Sequence, residues 1–442
     1  MEKRLRFRAP SDLVSISLDG QQFDAQRGEP LAISLYGNGI RAWARSSKFH
    51  RPRGPACFRG TCDGCLLRVD GVPNVMTCLV PAAPGQVLET QNTLGTRDID
   101  LLQMADWLFP HGVNHHELFA GVPVLQDVMQ SLARRVVGLG VLPSTKTIDG
   151  APTSPALRRS VPVLVVGAGA AGLAVATAFA RKGMDVELVD EGYEVGGSLR
   201  ALPPGVRQKF AALESAFQEV RSRINVRPGT LAAAIFPLAS NEESHGASPR
   251  TVLLVDAHAR ESHAELVTPD VLVLATGAHD AMPAFPGNDV PGVLPLRAAG
   301  ILVAHGVLPG RRPLFLLPSA EHASAAAAKE LASATGGTLV LGEVERVHGS
   351  ARVRGVSVRT NGVIAKHDCD ALVVSAEASP AYELALQCGA KASHEARGFV
   401  VQTDASFSVA PQVFAVGTLA GSKHDPVEYV RAAAKVVRAA GA

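Results

Sequence analysis

Charge of either sign is too evenly matched in this chain to define a polyanion-binding surface. Against 43 Lys and Arg stand 41 Asp and Glu, a formal net charge of +2, so composition makes no case for a nucleic-acid partner. Also missing is any uncharged apolar run long enough to cross a bilayer, and no transmembrane segment is expected. The opening MEKRLRFRAPSDL is basic but carries no apolar core, so it does not read as a secretory signal, and a cytoplasmic location is expected. Cysteine is scarce, with six in 442 residues. Cys369 and Cys388 are far apart and neither completes a C-x-x-C pair, which argues against a redox disulfide of the thioredoxin-reductase kind. What remains is 47% hydrophobic, a globular composition with enough core for two or three domains.

The other four cysteines fall in one stretch, RPRGPACFRGTCDGCLLRVDGVPNVMTC, at Cys57, Cys62, Cys65 and Cys78. The spacing C-x4-C-x2-C-x12-C matches the plant-type [2Fe–2S] pattern, in which one tight loop presents three thiolates and a fourth arrives from further along. Gly60 and Gly64 lie where the backbone must curl and bring its amides near sulfide, which glycine does without steric cost. Between Cys65 and Cys78, LLRVDGVPNVMT reads as two strands about an Asp70-Gly71 turn that carries Cys78 back. Zinc, which favours two short cysteine knuckles, is the rival reading, with a disulfide or inert thiols behind it.

Upstream, residues 13–25 alternate apolar and polar about Asp19-Gly20, a second hairpin signal. A short helix over 29–37 follows, with Glu29 and Pro30 at its start. Hairpin, helix, cysteine loop and hairpin make a β-grasp [2Fe–2S] domain over residues 1–95. Arg or Lys at 41, 45, 48, 51 and 53 make residues 41–54 either a dock for an acidic partner or phosphate, or a solvated basic loop. Residues 96–160 read as a helical connector with a polar, proline-bearing linker over 145–160. The adjacent His115 and His116 lack the further partners a metal site needs.

At residue 161 the character changes. VPVLVVGAGAAGLAVATAFARKGMDVELVDEG is strand, glycine turn, helix and strand, with G-x-G-x-x-G at Gly167, Gly169 and Gly172. The first glycine makes the turn, the second lets the backbone approach a pyrophosphate, and the third lets helix and strand pack. Asp190 ends the second strand, where an acid accepts hydrogen bonds from ribose hydroxyls.

Three further pieces follow in order: the Gly196-Gly197 doublet, VLVLATG at 271–277 and VFAVGTLAG at 413–421. Together they resemble the glutathione-reductase-like two-dinucleotide-binding flavoproteins. That resemblance implies FAD, with NAD or ATP as alternatives in the same site. It also implies a cofactor site formed by Gly167, Ala168, Gly169, Ala171, Gly172, Asp190, Glu191, Gly197, Ser198, Thr276, Gly277, Gly417 and Thr418. The FAD domain then comprises 161–294 and 377–442, with a second nucleotide-type domain inserted at 295–376. Two departures stand out. Thr418 occupies the position where that superfamily usually has an aspartate beside the flavin. In the inserted domain the strand RPLFLL (312–317) leads into PSAEHASAAAAKEL. That turn has no glycine fingerprint, and it places Pro318 and Glu321 where a phosphate would need amides and no negative charge. NAD(P)H binding there is expected to be lost or altered.

With RSSKFHRPRG, IDLLQMADWLFPHGVNHHELFAG (99–121) and ATGAHDAMPAFPGNDVPGV (275–293), the chain is similar to the α subunits of heteromeric sarcosine oxidase. It also resembles the related subunits of hydrogen cyanide synthase, opine oxidases and proline or hydroxyproline dehydrogenases. In sarcosine oxidase α the resemblance would continue into a folate-binding region that these 442 residues do not include. The fold class implied is α+β followed by α/β, a β-grasp [2Fe–2S] domain ahead of the flavoprotein fold. The resemblance further implies an oxidoreductase acting on CH–NH groups, with an amine-oxidising β-type flavoprotein subunit as partner. No catalytic residue is assigned; His279, in ATGAHD, is the nearest candidate. The alternatives are a non-catalytic nucleotide-binding scaffold and a stand-alone NAD(P)H-dependent ferredoxin-type reductase.

Overall fold

Two Asp-Gly pairs organise the N-terminal module. Asp19 and Gly20 have φ of 51° and 80°, and Asp70 and Gly71 have 49° and 85°. Two successive left-handed residues reverse a chain with the twist that hairpin strands require. They join Leu13–Leu18 to Gln21–Gln26 and Leu66–Val69 to Val72–Met76. With Val87–Glu89 these strands form a five-stranded sheet in the order Gln21–Gln26, Leu13–Leu18, Val87–Glu89, Leu66–Val69, Val72–Met76. Leu13–Leu18 and Val87–Glu89 run parallel. The helix Leu31–Gly37 is buried throughout, and its Leu31, Ile33 and Leu35 share the core with Ile16, Leu18, Leu67 and Leu88. This is the expected β-grasp. Its helix starts after Pro30, which holds the N-cap in extended geometry.

The computed structural model describes residues 4–46, 49–91, 93–104, 106, 121–122, 124–128, 131, 155–237, 250–256 and 264–442. The chain divides into two compact units, Met1–Ala151 with Met282–Ser375, and Pro152–Ala281 with Ala376–Ala442. His115, His116 and most of the expected connector helix lie outside the described residues. Among the described residues no helix is long and apolar enough to cross a membrane.

In the first unit, residues 282–375 form a four-stranded parallel sheet in the order Val293–Pro295, Ala371–Val374, Pro313–Leu317, Thr338–Leu341. A three-stranded antiparallel sheet, Glu343–His348, Gly355–Thr360 and Val363–His367, accompanies it. Polar groups tie this part to the β-grasp. Tyr36 Oη donates to the Pro309 carbonyl at 2.6 Å. Arg41 Nη2 lies 2.8 Å from Asp370 Oδ2, with both side chains largely buried. Leu5 N donates to Gly37 O, and Leu308 N donates to Leu5 O.

The described cations of residues 41–54 are paired within the chain. Arg41 pairs with Asp370, Arg51 with Asp106 and Arg53 with Asp289. Arg45 donates to the carbonyls of His50 and Arg97.

In the second unit, four parallel strands lie side by side: Ile224–Pro228, Val186–Asp190, Leu157–Val166 and Ala264–Leu274. Val413–Ala415 pairs parallel to the last of these. Arg250–Asp256 and Thr230–Pro237 extend the sheet antiparallel. The first strand begins at Leu157, four residues ahead of the expected start, inside what reads as polar linker. Its polar start is held by charge: Arg159 lies 2.6 Å from both Glu187 and Glu265, and Arg227 lies 3.0 and 2.7 Å from the same two. Four alternating charges on adjacent strands satisfy one another where apolar periodicity is missing. The helices Ala170–Arg181, Ala211–Val220 and Pro426–Ala439 cover an apolar core built on Val163, Val165, Leu188 and Val273.

The Asp370 carboxyl is held below its ordinary 3.8. Burial pushes it up, but the Arg312 amide, the Arg41 guanidinium and the Arg311 amide outweigh that. A depressed folded-state value stabilises the protein fully above the unfolded value and is lost as pH falls through the folded one. Asp370→Asn should therefore cost on the order of 2–3 kcal/mol at pH 7, the low side of a broken buried pair because the amide still accepts a hydrogen bond. Urea unfolding of both proteins should show the gap closing below about pH 3.8. A gap unchanged at pH 3 would mean that the ion pair is not its source.

Candidate cofactor sites

The cysteine loop curls because Phe58 and Gly60 both take positive φ, 54° and 79°. Gly64 crosses so near that a Cβ on it would lie 2.0 Å from the Gly54 carbonyl oxygen. The hairpin about Asp70-Gly71 returns Cys78, and Thr77 Oγ1 fixes it by donating to Cys65 O at 2.7 Å. The thiols form a run of contacts from Cys62 to Cys57 to Cys78 to Cys65. Cys57, Cys65 and Cys78 are buried; Cys62 is partly exposed. Arg59 N and Thr61 N donate to Cys57 Sγ, each at 3.3 Å, and Gly60 N donates to Cys78 Sγ at 3.2 Å.

Contact with Cys62 and then Cys78 pushes Cys57 well down, and contact with Cys78 pulls Cys65 down. The same contacts push up Cys62, through Cys57, and Cys78, through Cys57 and Cys65. The four share protons as a set, and a metal that takes all four as thiolates expels them. Among the described residues no three His, Cys, Asp or Glu side chains converge on a single-ion position. Four sulfurs strung along amide donors fit a two-iron group, which is larger than one ion and whose sulfurs accept backbone hydrogen bonds.

In the second unit the site lies where the parallel strands end. Gly167 follows Leu157–Val166 with φ 104°, and a Cβ there would lie 2.3 Å from Ala275 O. A Cβ on Gly172 would lie 1.8 Å from Gly167 O. Gly169 caps the helix Ala170–Arg181 with φ −76°, open to any residue, and a Cβ there would meet nothing within 4 Å. Nothing in the chain requires glycine at 169. Its smallness leaves room in front of a helix N-terminus, where a pyrophosphate binds.

The other motifs gather at this loop. Gly197, at φ 50°, sits so that its Cβ would be 3.0 Å from Gly169 Cα, and Gly417 so that its Cβ would be 2.8 Å from Ala171 Cβ. Ser198 follows in the 3-10 turn Gly197–Ala201, and Glu191 is exposed beside Asp190. Thr276 Oγ1 donates to Ala381 O at 2.7 Å, and Gly277 turns with φ 74°.

Asp190 does more than its motif suggests. Its two oxygens accept from Ala168 N at 2.6 Å and Gly192 N at 2.8 Å. A carboxylate keeps lone pairs beyond these two, so it can orient the loop and still receive a hydroxyl. Thr418 is in hydrogen-bond contact with Tyr429, a buried phenol pushed up to about 12 by burial. Tyr429 also meets His424 Nδ1 at 2.9 Å. No motif signals Tyr429, whose place depends on how the last helix folds back. His279 is half exposed, 3.2 Å from Glu383. No acid–base set gathers around it among the described residues.

Two family models match. A 2Fe-2S iron-sulfur cluster binding domain covers residues 11–93. A pyridine nucleotide-disulphide oxidoreductase domain covers residues 161–305. Among characterised proteins, sarcosine oxidase subunit alpha of Rhizobium meliloti (strain 1021) is 29% identical over 317 residues, 68% of this chain and 31% of that protein. The same subunit of Corynebacterium sp. (strain U-96) is 27% identical over 81% of this chain and 34% of that protein. The chain is similar to the sarcosine oxidase α subunits. It spans about a third of the length of those two relatives. Hydrogen cyanide synthase subunit HcnB of Pseudomonas aeruginosa is 28% identical over 33% of this chain and 30% of that protein. A crystal structure of L-proline dehydrogenase from P. horikoshii shares the fold, with a TM-score of 0.71 at 19% identity over 99% of this chain and 76% of that one. The cofactors of this chain are a [2Fe–2S] cluster and FAD.

The two fingerprint glycines should separate binding from folding. Gly169→Ala should leave the unfolding free energy of nucleotide-free protein within about 0.5 kcal/mol, as for substitutions that touch nothing. FAD retained after gel filtration should fall at least tenfold. Gly172→Ala, which drives a methyl into backbone, should cost on the order of 3 kcal/mol or more. Equal FAD retention by Gly169→Ala and wild type would remove that loop from the binding site.

Proposed function

We propose that this chain is the electron-transferring α-type subunit of a heteromeric amino-acid or imino-acid oxidase or dehydrogenase, acting on a secondary amine such as sarcosine, proline or an opine. One observation carries this reading: a four-cysteine loop with amide donors is fused to a dinucleotide fold whose glycine loop is intact. A flavin supplies two-electron chemistry when bound and an iron–sulfur cluster one-electron chemistry.

Cys57, Cys62, Cys65 and Cys78 are the proposed cluster ligands, with the amides of Arg59 and Thr61 donating to Cys57 and that of Gly60 to Cys78. Gly167, Gly169 and the start of Ala170–Arg181 would cradle the pyrophosphate of FAD. Asp190 would hold the loop and meet the ribose. The inserted sheet has no comparable cradle: Pro313–Leu317 runs through Pro318 and Glu321 to a helix beginning only at Ala325. NAD(P)H is therefore not the proposed electron source. An amine-oxidising flavoprotein subunit is, and that subunit contributes the substrate contacts. A cytoplasmic location accompanies this reading. Thr418, turned to Tyr429 in place of a carboxylate, favours one second reading, a nucleotide-binding scaffold subunit.

Anaerobically purified chain should give a rhombic EPR signal after dithionite and release FAD on denaturation. Cys57→Ala and Cys78→Ala should each remove that signal while FAD content stays within about twofold, because the two sites fold in different units. NAD or ATP released in place of FAD would select the scaffold reading. Rapid amine oxidation by the chain alone would refute the need for a partner.

A further inference from the structure

Of the four cysteines in the loop, Cys62 alone reaches the surface, and it does so at the wall of a cleft of about 340 Å³. Its lining also includes Asn74 and Gln91 of the β-grasp and Asn288 and Asp289 of the inserted part. All belong to the first unit. The cleft carries no net charge. Arg45 and Arg53 are matched by Asp63 and Asp289, and Arg53 lies 2.8 Å from Asp289. A phosphate or an acidic peptide therefore finds no surplus cation there. Three carboxamides share the lining with small and apolar residues, and Gln91 and Asn74 are locked by two hydrogen bonds of 3.2 and 2.9 Å. Asn288 Nδ2 donates to Pro283 O at 3.2 Å. The volume is at the small end of ligand sites.

We propose that this cleft is the electron exit of the chain and binds a tail-free, quinone-type ring as a one-electron acceptor. The proposal rests on the cluster assignment above. A neutral planar ring fits a cleft without net charge, and its carbonyl oxygens match carboxamide N–H donors. It would sit against the one cysteine of the loop that is partly exposed. The cluster gives up one electron at a time. Two such transfers, with two protons from solvent, convert the quinone to the quinol, and the flavin is the source of both electrons.

The test uses the full chain loaded with cluster and FAD, reduced anaerobically, freed of dithionite and mixed with menadione. Cluster reoxidation is followed by its visible absorbance and by EPR. The wild-type rate should saturate with menadione concentration. Asn288→Trp and Gln91→Trp place bulk in the cleft from different segments of its lining, and each should raise the half-saturating concentration at least tenfold with the reduced-cluster EPR signal unchanged. A rate strictly linear in menadione, or variants indistinguishable from wild type with that signal intact, would overturn the exit site. Wild-type protein with no reduced-cluster signal would strike the cluster assignment itself, and the cleft's role with it.

Discussion

Backbone laid directly on backbone is the constraint from which both cofactor sites follow. At Gly64 over the Gly54 carbonyl and at Gly172 over the Gly167 carbonyl, a methyl group would stand 2.0 and 1.8 Å from an oxygen. Only a residue without Cβ permits such crossings. At the first, the cysteine loop is drawn tight enough for amides to reach sulfur. At the second, the helix start is brought up to the strand end, so that its unpaired N–H groups face outward. Gly169 differs in kind, because its missing side chain leaves space for something that is not protein.

Polar pairs finish what the glycines begin. Asp370 collects Arg41 and the amides of Arg311 and Arg312 on one carboxylate. Glu29, buried in the β-grasp, does the same for Arg6 and Ser34, at 2.5 and 2.6 Å. Burial pushes Glu29 up, and hydrogen bonds from His305, Arg6 and Ser34 bring it below its ordinary value. In the second unit the Arg159, Glu187, Arg227 and Glu265 ring plays the matching part. Buried charges are tolerable here because each has several partners.

The sequence discloses those elements whose conformation demands a particular residue. Asp-Gly turns need two left-handed residues, so both hairpins are legible with their turns. The fingerprint is legible because strand, glycines, helix and acid come in a required order. Relations between distant segments leave no such trace. Arg41 gives no sign that its partner is Asp370, and residues 41–54 look like a free basic loop. Leu157–Ser160 looks like linker because charge replaces apolar alternation in that part of the strand. Nor does spacing disclose that residues 282–375 belong with the N-terminal module.

That interleaving has a consequence for how the protein is made. Leu5, Tyr36 and Arg41 leave the ribosome early, yet Leu308, Pro309 and Asp370, which hold them, come some 270 to 330 residues later. At synthesis rates of roughly 5–20 residues per second, the cysteine module waits on the order of tens of seconds for its companion segment. Meanwhile the surface around Tyr36 and Arg41 stays open. Long-range closure of this kind is slow and leaves apolar surface uncovered. Completion of the first unit is thus tied to translation of its last strands, and the environment around the cysteines matures only when nearly the whole chain exists.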